Sequence, residues 1–385
     1  MDYYQESLRI HAENRGKLEV VSKVPVETKD DLSIAYTPGV AQPCTEIHKQ
    51  SQEVYKYTSK GNMVAVLTDG SAVLGLGNIG PLAALPVMEG KCVLFKEFGG
   101  VDAYPICVDT QDVDELVFVA KSIAPGFGGI NLEDISAPRC FEVERKLQEQ
   151  VNIPVFHDDQ HGTAIVTTAA VLNAVRFTKR DLSNIRVVIN GAGAAGVAIA
   201  KMLMSVGVQH ILCCARAGIL AGDMEGILDS ARLELGALTN PNNLHGTLAD
   251  AIKGADVFIG VSAPKTLTPE MVCSMAENPI IFAMANPEPE ILPELAKEAG
   301  AAIVGTGRSD YPNQINNVLV FPGLFKGALE AKASRITEEM KVAAAYALAG
   351  IVSDQALSAE YILPKATDKT VGPVIAAAVR DAWKG

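Results

Sequence analysis

VVINGAGAAGVAIA, residues 187–200, reads as a buried strand, a glycine turn and the start of a helix. Val187, Val188 and Ile189 form the short apolar run expected of a parallel strand covered on both faces. Gly191, Gly193 and Gly196 then give G-x-G-x-x-G, with Ala192, Ala194 and Ala195 between them. The first glycine permits a tight turn, the second lets a pyrophosphate approach the backbone, and the third lets the helix lie close to the strand. The helix start supplies free N–H groups and a partial positive charge suited to a phosphate. In a chain rich in Gly and Ala such a pattern also arises from plain helix–strand packing. The strand before it and the helical pattern after it make a dinucleotide site the better reading.

Working outward, further strands are predicted at residues 210–214, 257–262, 280–284 and 302–304, with helix or loop between them. This alternation implies a doubly wound parallel sheet. Upstream, 63–68 is a strand ending at the Asp69-Gly70-Ser71 turn, followed by a second glycine-rich turn over 74–81. Residues 92–95 read as a four-residue apolar strand flanked by Lys91 and Lys96. A lysine so placed either snorkels to solvent or is a partly desolvated amine of lowered pKa, able to act as a base. Residues 103–108 are a strand, and 112–122 and 138–149 are helices. From 324 onward the chain is mostly helical, over 328–349 and 374–383. No Gly/Ser-rich linker separates this tail, so it is expected to pack back on the first domain.

Two acidic pairs, Glu133-Asp134 and Asp158-Asp159, each follow a short strand. Hard cations such as Mg²⁺ or Mn²⁺ want oxygen ligands of this kind, with positions left open for substrate and water. Helix capping by Asp is the bland alternative. His157 and His161 are four residues apart, as in some zinc sites, but the carboxylates around them favour an oxygen-ligated metal. Asn286 stands before Pro287, where an amide meets a ligand or simply shapes a turn. Tyr36 stands before the Pro38-Gly39 turn, where a loop could present its hydroxyl; by local sequence alone a half-buried packing residue is the better reading.

The 385 residues suffice for two full cores, and 48% hydrophobic against 20% charged residues is a globular composition. With 33 basic against 45 acidic side chains the net charge is −12, which disfavours nucleic acid or an anionic membrane surface as partner. No stretch reads as a signal peptide or a membrane span, so a cytoplasmic protein is expected. The seven cysteines lack zinc spacing and read as small buried hydrophobes in a reducing compartment.

Together these segments resemble the malic enzymes, in particular the short bacterial form. The likeness rests on AYTPGVA (35–41), VLGLGNIGPLAALPVMEGKCVLFK (73–96), NLEDI (131–135), PVFHDDQHGTA (154–164), NGAGAAG (190–196), ANPEPE (285–290) and GTGRSDYPNQINNVLVFPG (305–323), in order along nearly the whole chain. It implies an α/β fold with an N-terminal substrate domain (1–155), a Rossmann-type NAD(P) domain (156–320) and C-terminal helices returning to the first (321–385). It implies oxidative decarboxylation of (S)-malate to pyruvate and CO₂ with reduction of NAD or NADP, a divalent metal, and a homodimer or higher homo-oligomer. By position, Glu133, Asp134 and Asp159 would hold Mg²⁺ or Mn²⁺, Lys91 would take the C2 hydroxyl proton, and Tyr36 would protonate C3. Asn286 and Asn317 would contact substrate and nicotinamide, and the 191–196 turn the pyrophosphate. The chemistry suits these residue types: hydride loss needs an alkoxide beside a base and a Lewis acid, and carbon protonation suits a phenol acidified by a cation such as Lys91.

Two positions depart from the larger relatives. Their arginine for the malate carboxylate, two residues before the LGLG turn, is Ala72 here, as is common in short forms. The carboxylate must then be held elsewhere, with the Asn side chains and turn N–H groups as candidates. The acidic residue expected at the end of the second Rossmann strand is Ala215, followed by Arg216. An arginine without a carboxylate suits a 2′-phosphate, so NADP is expected to serve at least as well as NAD. The competing readings are a metal-dependent oxaloacetate decarboxylase without net redox, an amino-acid dehydrogenase, and a nucleotide-sensing scaffold with a dead site. Tyr36, on an N-terminal loop, is expected to act in its own or in a partner subunit's site.

Overall fold

The chain is described by a computed structural model over residues 2–73 and 75–385; Leu74 of the LGLG turn lies outside the described residues. It opens with four short helices, α1 (Tyr3–Asn14), α2 (Lys29–Ala35), α3 (Ala41–Lys49) and α4 (Val54–Tyr57). Asp2 caps α1, and Thr28 with Asp31 forms a reciprocal capping box on α2. None of the four buries a residue.

The first sheet follows: β1 (Met63–Thr68), α5 (Gly80–Gly99), β2 (Asp102–Cys107), α6 (Val113–Ile123), β3 (Gly129–Leu132), α7 (Arg139–Gln150) and β4 (Val155–His157). Its strands are parallel in the order β2-β1-β3-β4. Helix α8 (Asp158–Thr178) leads to the second sheet. This sheet contains β5 (Arg186–Asn190), α9 (Ala194–Ser205), β6 (His210–Ala215), β7 (Gly218–Ile219), α10 (Ser230–Thr239), α11 (Leu248–Ile252) and β8 (Val257–Gly260). It continues through α12 (Pro269–Cys273), β9 (Ile280–Ala283), α13 (Pro293–Glu298) and β10 (Ile303–Thr306). The order is β10-β9-β8-β5-β6-β7, parallel except for the β6–β7 edge. In each sheet the chain reverses its winding direction beside one central strand, β1 or β5, and ligands bind at such crevices.

The tail forms α14 (Phe321–Glu330), α15 (Glu338–Ile351) and α16 (Val371–Ala382). Phe321 and Phe325 of α14 meet Phe95 of α5 edge-on at 4.7 and 5.4 Å. Phe325 also meets Phe156 of β4 at 5.8 Å. From α8, Asn173 reaches across to the carbonyls of Ala349 and Ile362 at 3.0 and 2.8 Å. A single apolar cluster therefore runs from Val64 and Phe95 through α8 to Ile189, Phe282 and Val379. Among the described residues no helix is long and apolar enough to cross a membrane.

Three local expectations are corrected. Residues 92–95 are not a strand but lie inside the twenty-residue helix α5. Four apolar residues carry no period of their own; Pro81 in the first turn and left-handed Gly100 at the end set the true bounds. The helix read over 328–349 is two helices. Lys332 takes a left-handed backbone at φ 50° and Thr337 caps a fresh start. Of the cysteines, Cys44 and Cys273 are exposed and Cys107 only half-buried, while the other four are buried; all seven are free.

Candidate active site

The glycine turn does three different things in space. Gly191 has φ 121°, and a Cβ there would lie 2.5 Å from the Val261 carbonyl oxygen at the end of β8. A Cβ on Gly196 would lie 1.8 Å from the Gly191 carbonyl oxygen, so α9 can approach β5 only with glycine there. Around Gly193 nothing stands within 4 Å of a built Cβ. It is also the N-cap of α9, with no side chain capping the helix, so the first N–H groups face open space. A dinucleotide pyrophosphate fits that cradle.

The acidic pairs converge. Glu133 and Asp134 leave β3, Asp159 lies in the first turn of α8, and their carboxylate oxygens all come within 4.8 Å of one another. Asp134 holds a left-handed backbone, φ 53°, which Asp tolerates better than most side chains. The turn is pinned at both ends: the Asp134 N–H donates to Asp159 Oδ2 at 2.9 Å, and its carbonyl accepts from the Ala72 N–H at 2.9 Å. Glu133 accepts from Asn131 Nδ2 at 2.8 Å. Three carboxylates crowded at one buried point are an oxygen donor set of the kind hard divalent cations take.

Lys91, 8% exposed, projects from α5 between Glu133 Oε1 at 2.7 Å and Asp158 Oδ2 at 2.8 Å. The Phe321 ring closes over it, 4.3 Å from the ammonium. Burial works against the charge, but Asp158, Glu133 and Asp159 outweigh it and hold the amine above its ordinary value. The lowered amine weighed from sequence is thus the wrong direction. Burial pushes the Asp158 carboxyl up to about 7 despite Lys91, and it raises Glu133 as well. Asn317 Nδ2 donates to the same Asp158 oxygen at 2.6 Å.

Asp158 is the member of this group not singled out from sequence. Its signal was the doubled acid 158–159, of which only the second was given a role. The two histidines have different surroundings. His157 is fully buried, and burial pushes it down to about 4. His161 lies between Glu144 at 3.0 Å and Lys341 at 3.1 Å.

A cleft of about 1010 Å³ joins these parts. Lys91, Glu133, Asp134 and Asp159 line it, as do Ala195, Val261 and Asn286 from the loops of the second sheet and Asn317, which lies beside Asp158. The loops leaving β1 and β3 thereby face those leaving β5 and β8. Tyr36 is elsewhere. It ends α2, is 67% exposed and does not line the cleft of its own chain. Arg216 is exposed just beyond β6.

Comparison with known proteins matches residues 15–148 to the family model "Malic enzyme, N-terminal domain" and residues 160–382 to "Malic enzyme, NAD binding domain". The chain belongs to the malic enzyme family. A bifunctional malic/malolactic enzyme of Bacillus subtilis is 57% identical over 99% of this chain and 93% of its own length. An NADP-dependent malic enzyme of Escherichia coli is 50% identical over 95% of this chain, which spans 50% of that longer protein. The crystal structure of the NAD-dependent malic enzyme of Thermotoga maritima superposes with a TM-score of 0.93 at 48% identity, covering 97% of this chain and 98% of that one. Malic enzymes named for either dinucleotide thus stand at similar distance.

Proposed function

We propose that this chain oxidises (S)-malate and decarboxylates it to pyruvate and CO₂ with reduction of NAD or NADP. The observation that carries the reading is the shared cleft, where an acidic cation set, a buried lysine and a dinucleotide turn face one another. In this reading Glu133, Asp134 and Asp159 hold Mg²⁺ or Mn²⁺. When bound, the cation supplies Lewis-acid polarisation of the C2 oxygen and of the enolate that follows.

Lys91 removes the C2 hydroxyl proton after passing its own to Asp158, 2.8 Å away. A bound nicotinamide would supply the acceptor for the C2 hydride. The C3–C4 bond then breaks, CO₂ leaves, and its electron pair remains in the enol. Asn286 and Asn317 orient substrate and nicotinamide. Tyr36 gives C3 its proton. Its exposure outside its own chain's cleft supports supply from a second copy in a homodimer, and Leu32 and Ile34 nearby are 53% and 75% exposed. Arg216 beside Ala215 favours NADP. We place the domain bounds at 155 and 320, and the protein in the cytoplasm.

The test follows nicotinamide reduction with malate, each dinucleotide in turn, with Mn²⁺ or EDTA. Metal-dependent reduction is expected. Decarboxylation of oxaloacetate without any reduction from malate would overturn the reading. A strong NAD preference that survives Arg216→Ala would overturn the dinucleotide assignment.

A further inference from the structure

Ala72 leaves the substrate carboxylate without the arginine of larger relatives, and the cleft shows where a cation enters instead. Two lysines line it among the described residues, Lys17 and Lys91. Lys91 is committed to Glu133 and Asp158. Lys17 stands just past α1, where Arg15 and Gly16 turn the chain through left-handed conformations at φ 54° and 103°. Its backbone N–H donates to Glu89 Oε2 at 2.9 Å, which seats the segment on α5. Its ammonium donates to the Pro86 carbonyl at 2.7 Å, and no carboxylate lies within 4.0 Å of it among the described residues.

Pro86 and Lys91 are five residues apart on α5, about 7.5 Å along a helix. The Lys17 ammonium lies 3.4 Å from a Cβ built on Gly90, the residue before Lys91, and both lysines line the cleft. His11 of α1 lines the same cleft; its Nδ1 is engaged by the Ser7 carbonyl at 2.7 Å, and its Nε2 is out of solvent with no hydrogen bond. Among the described residues the cleft thus carries, besides Lys91, a lysine with no carboxylate within 4.0 Å and a histidine nitrogen with no hydrogen-bond partner.

We infer that Lys17, carried by the N-terminal segment, holds the malate carboxylate that survives in pyruvate. A cation on the departing carboxylate would stabilise the charge that must be given up when CO₂ leaves, so the ammonium serves only the retained one. This rests on the function proposed above and adds a substrate-binding residue to it. An interaction present in both ground and transition states sets KM rather than kcat.

The experiment compares wild type, Lys17→Met and Lys17→Arg. Lys17→Met raises the malate KM by about 10- to 100-fold, with kcat changed less than about threefold and the KM for the dinucleotide unchanged. Lys17→Arg recovers most of the loss. Calorimetric titration of Mn²⁺-loaded protein with oxalate, which carries only the retained end of the substrate, shows a parallel loss of affinity. An unchanged malate KM and unchanged oxalate affinity in Lys17→Met would overturn the inference. So would a loss that Lys17→Arg does not relieve, or one shared by the dinucleotide KM with a fallen Tm. The oxalate arm needs no turnover, so it decides on Lys17 even if wild type proves unable to oxidise malate, which would instead sink the proposed reaction.

Discussion

At the scale of single residues, the centre is a charge arrangement that the bare protein holds under tension. Lys91 stands among three buried or half-buried carboxylates with a fourth beside them. Replacing it with Ala removes the proton acceptor, and kcat should fall on the order of 10²–10⁴-fold in the nicotinamide assay. The carboxyls also set a pH response. Asp158 is held near 7 and Glu133 above its ordinary value by burial, so the folded protein keeps protons that the unfolded chain has lost. The contribution of Asp158 to stability is complete below about 4 and is lost as pH rises through about 7, and that of Glu133 runs in the same direction. A divalent cation competes with those same protons. The Tm increment given by Mn²⁺ should therefore grow steadily from pH 5 to pH 8. An increment that is flat or shrinks over that range would contradict the cation set.

At the scale of elements, the glycine turn separates two roles that one motif usually confounds. Gly193→Ala should leave Tm within a degree or two, because open space receives the methyl, yet weaken dinucleotide binding about tenfold or more. Gly196→Ala should lower Tm outright, because its methyl meets the Gly191 carbonyl. Thermal melts with and without NADP, together with nucleotide titration, distinguish the two. This turn was legible because its glycines answer to local geometry, and so were the strands read at 63–68 and 257–262, whose apolar runs are buried from Val64 and from Val257 onward. That the doubled acids converge was legible for a similar reason: each pair follows a strand. Residues 92–95 were not, since a short apolar run takes its state from the helix formers before it. Neither was the pairing of Lys91 with Asp158, 67 residues apart, which only the packing of α5 against the β4–α8 junction creates. Lys17 was silent for the same reason, its partner carbonyl being 69 residues away.

At the scale of the whole molecule, the two sheets bring their loop edges to one cleft, but Tyr36 remains outside it. If a second copy supplies the phenol, mixing Tyr36→Phe protein with Lys91→Ala protein should restore part of the activity through hybrid dimers, up to about a quarter of wild type when half the population is mixed and each hybrid keeps one intact site. No recovery in dimers shown to be mixed would place Tyr36 in its own chain's site after a rearrangement. The phenylalanines of α14 carry a last consequence. Phe321 and Phe325 meet Phe95 edge-on, Phe325 also meets Phe156, and Phe321 roofs Lys91. The two halves that match separate family models are therefore not separable pieces: a gene cut before codon 321 would yield an N-terminal fragment with its inner wall stripped to water, insoluble on expression. The last sixty-five residues work as the keystone of an arch whose two piers were laid much earlier in the sequence.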